Sequence, residues 1–252
     1  MHVYWMEAKT EFLKLVRMKV YSLSALLFPL MFYCFFGLAM GREQKGGNSL
    51  DAARYLLGTY GAFAIVSATL YALGVGVAVE RGLGWLQVKR ASPMPRAAYY
   101  IAKSVVSAAF GAIVVMLLFG LGAAFGGVRM PAGQWLLLGV TLLAGAVPFC
   151  ALGLTIGGFA GPNSAPAAVN LTYMPLAFCG GLWIPFQFLP QSIRHIAPFL
   201  PTYHFGQLAL RVLRFPTEGT VAVHVEALAA FTLVFAGLAW IGNSREREKM
   251  YG

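Results

Sequence analysis

The chain has 252 residues, 59% of them hydrophobic and only 11% charged, with a formal net charge of +10. A soluble domain carries about 25% charged residues, and so sparse a set cannot also cover the outside of a body this size, which excludes an ordinary soluble protein. The Lys and Arg residues sit beside long apolar segments and form no single array, so they read as topology-setting charge near anionic headgroups and not as a nucleic-acid surface.

In chain order, residues 1–19 come first. Trp5, Ala8, Phe12, Leu15 and Val16 recur at helical spacing, with Glu7, Thr10, Glu11, Lys14 and Arg17 on the other side. The pattern predicts an amphipathic helix lying at the membrane surface; a helix packed on a partner is the plainer alternative. Its acidic residues, and the length of the apolar stretch that follows, argue against a cleaved signal peptide. Apolar segments at 20–41, 55–79, 104–128 and about 134–160 each match the roughly 20 residues that a crossing needs. From Met130 to Ile193 there is no Lys, Arg, Asp or Glu. As one helix that run would be about three times as long as a hydrocarbon core of about 30 Å is thick. It must reverse, and Gly161-Pro162-Asn163-Ser164-Ala165-Pro166 is the place predicted. A fifth crossing at 166–182 and a sixth at 221–241 complete an all-α, six-span membrane domain over 1–252.

Orientation follows from the basic residues. With the N-terminus inside, 12 of the 19 Lys and Arg fall on the inner side and 7 on the outer, which predicts both termini in the cytoplasm and a multi-pass location in the cell membrane. The segment 80–103 is then the longest charged inner loop. It joins apolar Leu83, Trp85, Leu86 and Val88 to a Ser92-Pro93-Met94-Pro95 breaker. Such a loop suits either a docking surface or a helix with Trp85 at the headgroups. Between the last two crossings, Gly180 and Gly181 permit a close approach or bend, and Pro185, Pro190, Pro198 and Pro201 cut an aromatic region into pieces too short to span. Re-entrant or interfacial helices roofing the outer face are expected, with Trp183, Phe186, Phe188, Phe199 and Tyr203 at the boundary.

Several chemistries have no residues to carry them. There is no GxxxxGK[ST] phosphate loop, no HExxH and no GxSxG. Cys34, Cys150 and Cys179 lie in apolar segments and read as small buried hydrophobes. His195, His204 and His224, with Glu226, fall near the outer face; they could converge on a metal, but amphipathic boundary residues are the better reading. Ser67, Thr69, Ser104, Ser107, Thr141, Thr155 and Thr172 are expected to bond backbone carbonyls. Gly153, Gly157 and Gly161 share one helix stripe, and Gly122 and Gly126 another, as intramolecular packing faces. The spans lack the acids that ion-coupled carriers use.

Taken together, the chain resembles the membrane subunit of type-2 ATP-binding-cassette (ABC) exporters. The local matches are Gly180-Gly181-Leu182-Trp183-Ile184-Pro185 with Leu189-Pro190, then Pro198-Phe199-Leu200-Pro201-Thr202-Tyr203 before a Leu-rich helix at 208–211, and Glu80-Arg81 through Pro93. The resemblance implies a non-catalytic permease that works as a homodimer or heterodimer. ATP and Mg would reside in a separate ATPase subunit, and the chain itself would hold no cofactor or metal. It further implies coupling to that ATPase through Glu80, Arg81, Trp85 and Leu86. Gly180, Gly181, Pro185, Pro190, Pro198, Pro201 and Tyr203 would shape an extracellular cap, and the substrate would be a drug-like or lipid-type amphiphile. The alternative is a secondary transporter or channel-like protein working without ATP.

Overall fold

The computed structural model describes residues 2–17, 27–39, 48–91 and 95–251. Parts of the first expected crossing, 20–41, and the Ser92-Pro93-Met94 breaker lie outside them. Every regular element among the described residues is helical. The helices are α1 (His2–Arg17), α2 (Leu27–Leu38, with π-helical turns over Tyr33–Ala39), and α3, which runs from Asn48–Leu70 through a π-helical stretch, Tyr71–Val75, into Gly76–Gly82. There follow α4 (Trp85–Ala91), α5 (Arg96–Ala124), α6 (Ala132–Ala144), α7 (Ala146–Phe159), α8 (Ala165–Cys179), α9 (Gln191–Ile196), α10 (Pro201–Val212) and α11 (Val221–Tyr251).

Proline sets many of the boundaries. Pro95, Pro131 and Pro190 stand just before α5, α6 and α9, and Pro201 opens α10. A helix start tolerates a residue with no N–H, since those donors have no intrahelical partner. Between α7 and α8 the chain reverses through the predicted Gly161–Pro166 cluster, where Ser164 closes the turn on Gly161.

Among the described residues four helical stretches are long and apolar enough to cross a bilayer: Ala52–Gly82, Ala97–Ala124, Ala132–Phe159 and Val221–Gly242. They correspond to the second, third, fourth and sixth predicted crossings. The fifth is shorter: α8 has 15 residues, a rise of about 22 Å. It carries Pro175 in its interior and ends at the Gly180-Gly181 bend, where Gly181 takes φ +77°, a conformation open chiefly to glycine. The described part of the first, α2, is shorter still.

The helix α3 is the axis of the bundle. It packs against α2, α5, α6, α7, α8 and α10, and residues such as Leu57, Phe63, Leu70 and Leu73 are fully buried. One apolar cluster joins Phe63 and Leu73 to Leu142, Phe149, Val169 and Phe205; a second joins Leu57 and Tyr60 to Tyr33, Phe110 and Leu118. By contrast α11 is peripheral and bares Leu233, Val234 and Trp240, the surface expected of a helix facing lipid. Inside lipid the polar side chains bond locally or to a neighbour. Ser67, Thr69, Ser107, Thr141, Thr155 and Thr172 each donate to a carbonyl one turn back. Thr155 shares its one hydroxyl proton between Ala151 O at 3.0 Å and Phe235 O at 2.8 Å, and the latter fastens α7 to α11. Gly153 and Gly157 lie against α3 and Gly122 and Gly126 against Tyr33, all within the chain, but Gly161 falls beyond the end of α7 at Phe159 and is not part of the stripe.

Candidate functional site

At the Gly82 end of the bundle, α1, α3, α4 and α5 meet through charge. Glu11 and Glu80 are buried. Lys103 Nζ lies 2.7 Å from Glu11 Oε2 and 2.9 Å from Glu80 Oε1. Lys14 Nζ is 2.6 Å from Glu80 Oε1 and 3.2 Å from Glu11 Oε1, and Lys89 Nζ is 3.1 Å from Glu11 and also pairs with Glu7. The Tyr99 hydroxyl donates to Glu80 Oε2 at 2.5 Å, and its ring lies 4.4 Å from Lys89 Nζ. Among the described residues three carboxylates meet three ammonium groups, and the buried ones, Glu11, Glu80 and Lys103, are paired with one another, which makes their burial tolerable.

Charge sets the protonation here as well. Burial pushes Glu11 up, but Lys103 beside it, helped by Lys14, holds its carboxyl below the usual value. Burial opposes the Lys14 ammonium, yet Glu80 and Glu11 raise its pKa above the ordinary one. On the polar side of α1, Glu11 is buried and Glu7 half-buried, while Thr10, Lys14 and Arg17 are exposed, as are Trp5 and Leu13 elsewhere on the helix.

The four residues expected to couple to an ATPase occupy different positions. Glu80 belongs to the ion-pair lattice. Arg81 donates to the carbonyls of Gly158 and Ala160, capping the end of α7, where a cation suits the carbonyl-rich terminus. Leu86 is buried in a small cluster with Val77 and Tyr99. Only Trp85 is open: it is 53% exposed and stands with Leu83 at 68%, in the turn before α4, and Val88 at 65%, a bare apolar ridge at the start of α4. Beside it, a cavity of about 280 Å³ lies among Val77, Arg81, Leu86, Tyr100, Leu154 and Trp240.

At the opposite end the proline-rich segment folds into short helices, none able to span. Pro185 precedes a 3₁₀ turn at Phe186–Phe188, and Pro198 lies within another at Ala197–Phe199. Gly180 lies where Thr202 comes down on α8; its missing side chain admits Thr202 Oγ1, which donates to Leu176 O. Tyr203 is buried, packs on Phe186 with ring centroids 5.1 Å apart, and donates to Glu218 Oε2 at 2.9 Å. Of the expected boundary aromatics, Phe188 and Phe199 are exposed. Trp183 instead packs between Phe32 and Phe63. His204 and His224 come together while His195 remains exposed. Among the described residues no three metal-binding side chains cluster. The spacing of 20 residues between two different helices left no local signal for the histidine pair.

Such a bundle, with four apolar helices of bilayer length, defines a multi-pass membrane protein. The chain belongs to the ABC-2 type transporter family, whose sequence profile matches residues 2–213. It is 28% identical over 236 residues to a Bacillus subtilis (strain 168) protein named "Putative transport permease YvfS", an overlap of 93% of this chain and 96% of the relative. The chain is thus a transport permease, and this family in general implies an ABC ATPase as partner.

Proposed function

We propose that this chain is the transmembrane subunit of an ABC exporter and that it moves a drug-like or lipid-type amphiphile. ATP and Mg²⁺ are held by a separate nucleotide-binding subunit, which hydrolyses the ATP; this chain does no chemistry of its own. The observation that carries the reading is the bare ridge formed by Leu83, in the turn before α4, with Trp85 and Val88 on α4. An exposed Trp between two aliphatic side chains, close to charged groups, has the make-up of a protein-docking hot spot. The lattice behind it supports a coupling role. A push on α4 passes through Leu86 to Val77 on α3, and through Lys89 to Glu7 and Glu11 on α1. In this reading Trp85 makes the contact, and Glu80, Arg81 and Leu86 transmit it to the spans.

Two such subunits, alike or different, form the pathway. The described α2 and α8 are the remaining crossings, which makes six, and α1 lies at the cytoplasmic surface with Trp5 toward the headgroups. The segment with Pro185, Pro190, Pro198 and Pro201 caps the exit. The apolar walls of the cavity beside Arg81 favour an amphiphile.

Truncation of Trp85 tests the contact. An anchoring aromatic is worth at least about 2 kcal/mol, so Trp85→Ala is expected to weaken ATPase binding roughly thirtyfold. The measurement titrates the purified partner ATPase onto the permease in lipid nanodiscs. Unchanged affinity, or substrate flux with no ATPase present, refutes the assignment. Sidedness is tested separately, in a background lacking Cys34, Cys150 and Cys179. A cysteine at Gln191 is expected to react with an impermeant maleimide added outside cells, and one at Arg247 only after the cells are opened. The reverse pattern overturns the orientation.

A further inference from the structure

His204 on α10 and His224 in the first turn of α11 are both buried, and their Nδ1 atoms lie 2.9 Å apart. Their other nitrogens are also engaged. His204 Nε2 is 2.9 Å from Pro198 O, and His224 Nε2 is 2.8 Å from Glu218 O. A carbonyl oxygen only accepts, so each Nε2 must carry its hydrogen. A neutral imidazole has one N–H, which leaves both Nδ1 atoms as bare lone pairs pointed at each other. Moving a proton from Nε2 to Nδ1 on either ring only transfers the clash to a carbonyl. Three contacts in a row require three protons, and two neutral rings supply two.

We infer that His204 and His224 form a proton-binding site in which one additional proton, shared between the two Nδ1 atoms, fastens α10 to α11. The Tyr203 ring lies at a steep angle to both imidazoles, with centroids 5.4 Å and 6.1 Å away, and the negative charge nearest the pair is reached through that residue. Its hydroxyl holds the Glu218 carboxylate, and Gln207 Oε1 accepts the Glu218 N–H at 3.3 Å. Glu218 and Tyr203 are the titratable groups that the described contacts place around the pair. From α11 comes the uncharged Phe231 ring, and from the Ala197–Phe199 turn only a carbonyl. Burial works against the charge and pushes His204, taken singly, below its ordinary value. The shared site opposes that cost by spreading the charge over two rings and completing three hydrogen bonds. Two protons cannot occupy the gap, so the pair holds one and no more.

The sign of the pH dependence decides between a shared proton and two neutral buried rings. A shared proton raises the folded-state pKa above the unfolded value of about 6.5. Its stabilisation is complete below that value and fades as pH rises through the folded-state pKa. Unfolding constants are compared for the full chain in detergent, wild type against His224→Phe, from pH 5.5 to 8.5. The variant's unfolding constant divided by that of wild type is expected to shrink on raising the pH, by up to about tenfold per unit within the window. A ratio that grows with pH, or stays flat, refutes the site. ¹⁵N spectra of histidine-labelled wild type give a second readout that needs no variant. At pH 6 both Nδ1 signals are expected between the neutral and protonated positions; two fully neutral rings overturn the inference.

Discussion

Replacing Glu11 by alanine is expected to destabilise the protein by about 3–5 kcal/mol, the usual cost of leaving a buried partner charge unpaired. Glu11 is 2% exposed and pairs with Lys14, Lys89 and Lys103 from α1, α4 and α5. Lys103, itself buried, keeps Glu80 as its one carboxylate partner among the described residues, with the Tyr99 ring 5.3 Å away, and cannot move into water without unpacking α5. Thermal unfolding in detergent, followed by tryptophan emission, measures the loss. Glu7→Ala is the comparison: Glu7 is less buried and pairs with Lys89 alone among the described contacts, so its loss is expected to be smaller. The double variant Glu11→Gln with Lys103→Met should recover part of the loss, because both charges then leave together. The pH dependence has a definite sign. With its folded-state pKa held below the unfolded value of about 4.3, Glu11 stabilises fully above that value. The contribution fades as pH falls through the folded-state pKa, and the Glu11→Ala variant should lose this acid sensitivity. A variant within about 1 kcal/mol of wild type would mean that the lattice does not hold α1 down.

How much of this was legible in the sequence depends on the range of the interaction. The crossings at 55–79, 104–128 and 134–160 were readable because the absence of charge is a property of consecutive residues, and the structure extends the first of them to Gly82. In the sequence Glu80 reads as the start of a loop, since a charge after an apolar run normally marks its end. Its burial depends on Lys14 and Lys103, one 66 positions before it and on a different helix, and no local pattern reports that. The same holds for α1. Its helical spacing is legible, but the burial of Glu11 depends on Lys89 and Lys103. Leu83, Trp85 and Val88 were legible as an apolar excess in a charged loop; that Leu86 alone of that set turns inward was not. The π-helical turns at Tyr71–Val75 have no compositional signature at all.

Those turns set up the second large effect. Gly157→Val is expected to cost about 3 kcal/mol, the upper end for overpacking, and to reduce the yield of folded protein. A Cβ at Gly157 would stand 2.8 Å from Leu73 O, 2.9 Å from Val77 Cβ and 3.2 Å from Gly74 O. Two of these are backbone atoms within or beside the π-helical stretch, and backbone cannot rotate out of the way. Gly153 meets the same stretch one turn earlier, with Leu73 Cβ at 2.9 Å and Thr69 O at 3.2 Å. In lipid, where apolar side chains gain little by leaving their surroundings, this close contact is what holds α7 to α3. It is also what keeps Arg81 in reach of the carbonyls of Gly158 and Ala160, so a displaced α7 would loosen the Gly82 end as well. Gly120 provides the control, because a Cβ there meets nothing within 4 Å. Gly120→Ala should be neutral or stabilise by up to about 1 kcal/mol through helix propensity. Size-exclusion profiles and unfolding midpoints for the two variants side by side measure the difference. If Gly157→Val behaves like Gly120→Ala, then α7 does not lie against the π-helical turns of α3, and the route from the α4 ridge to the centre of the bundle is lost with it.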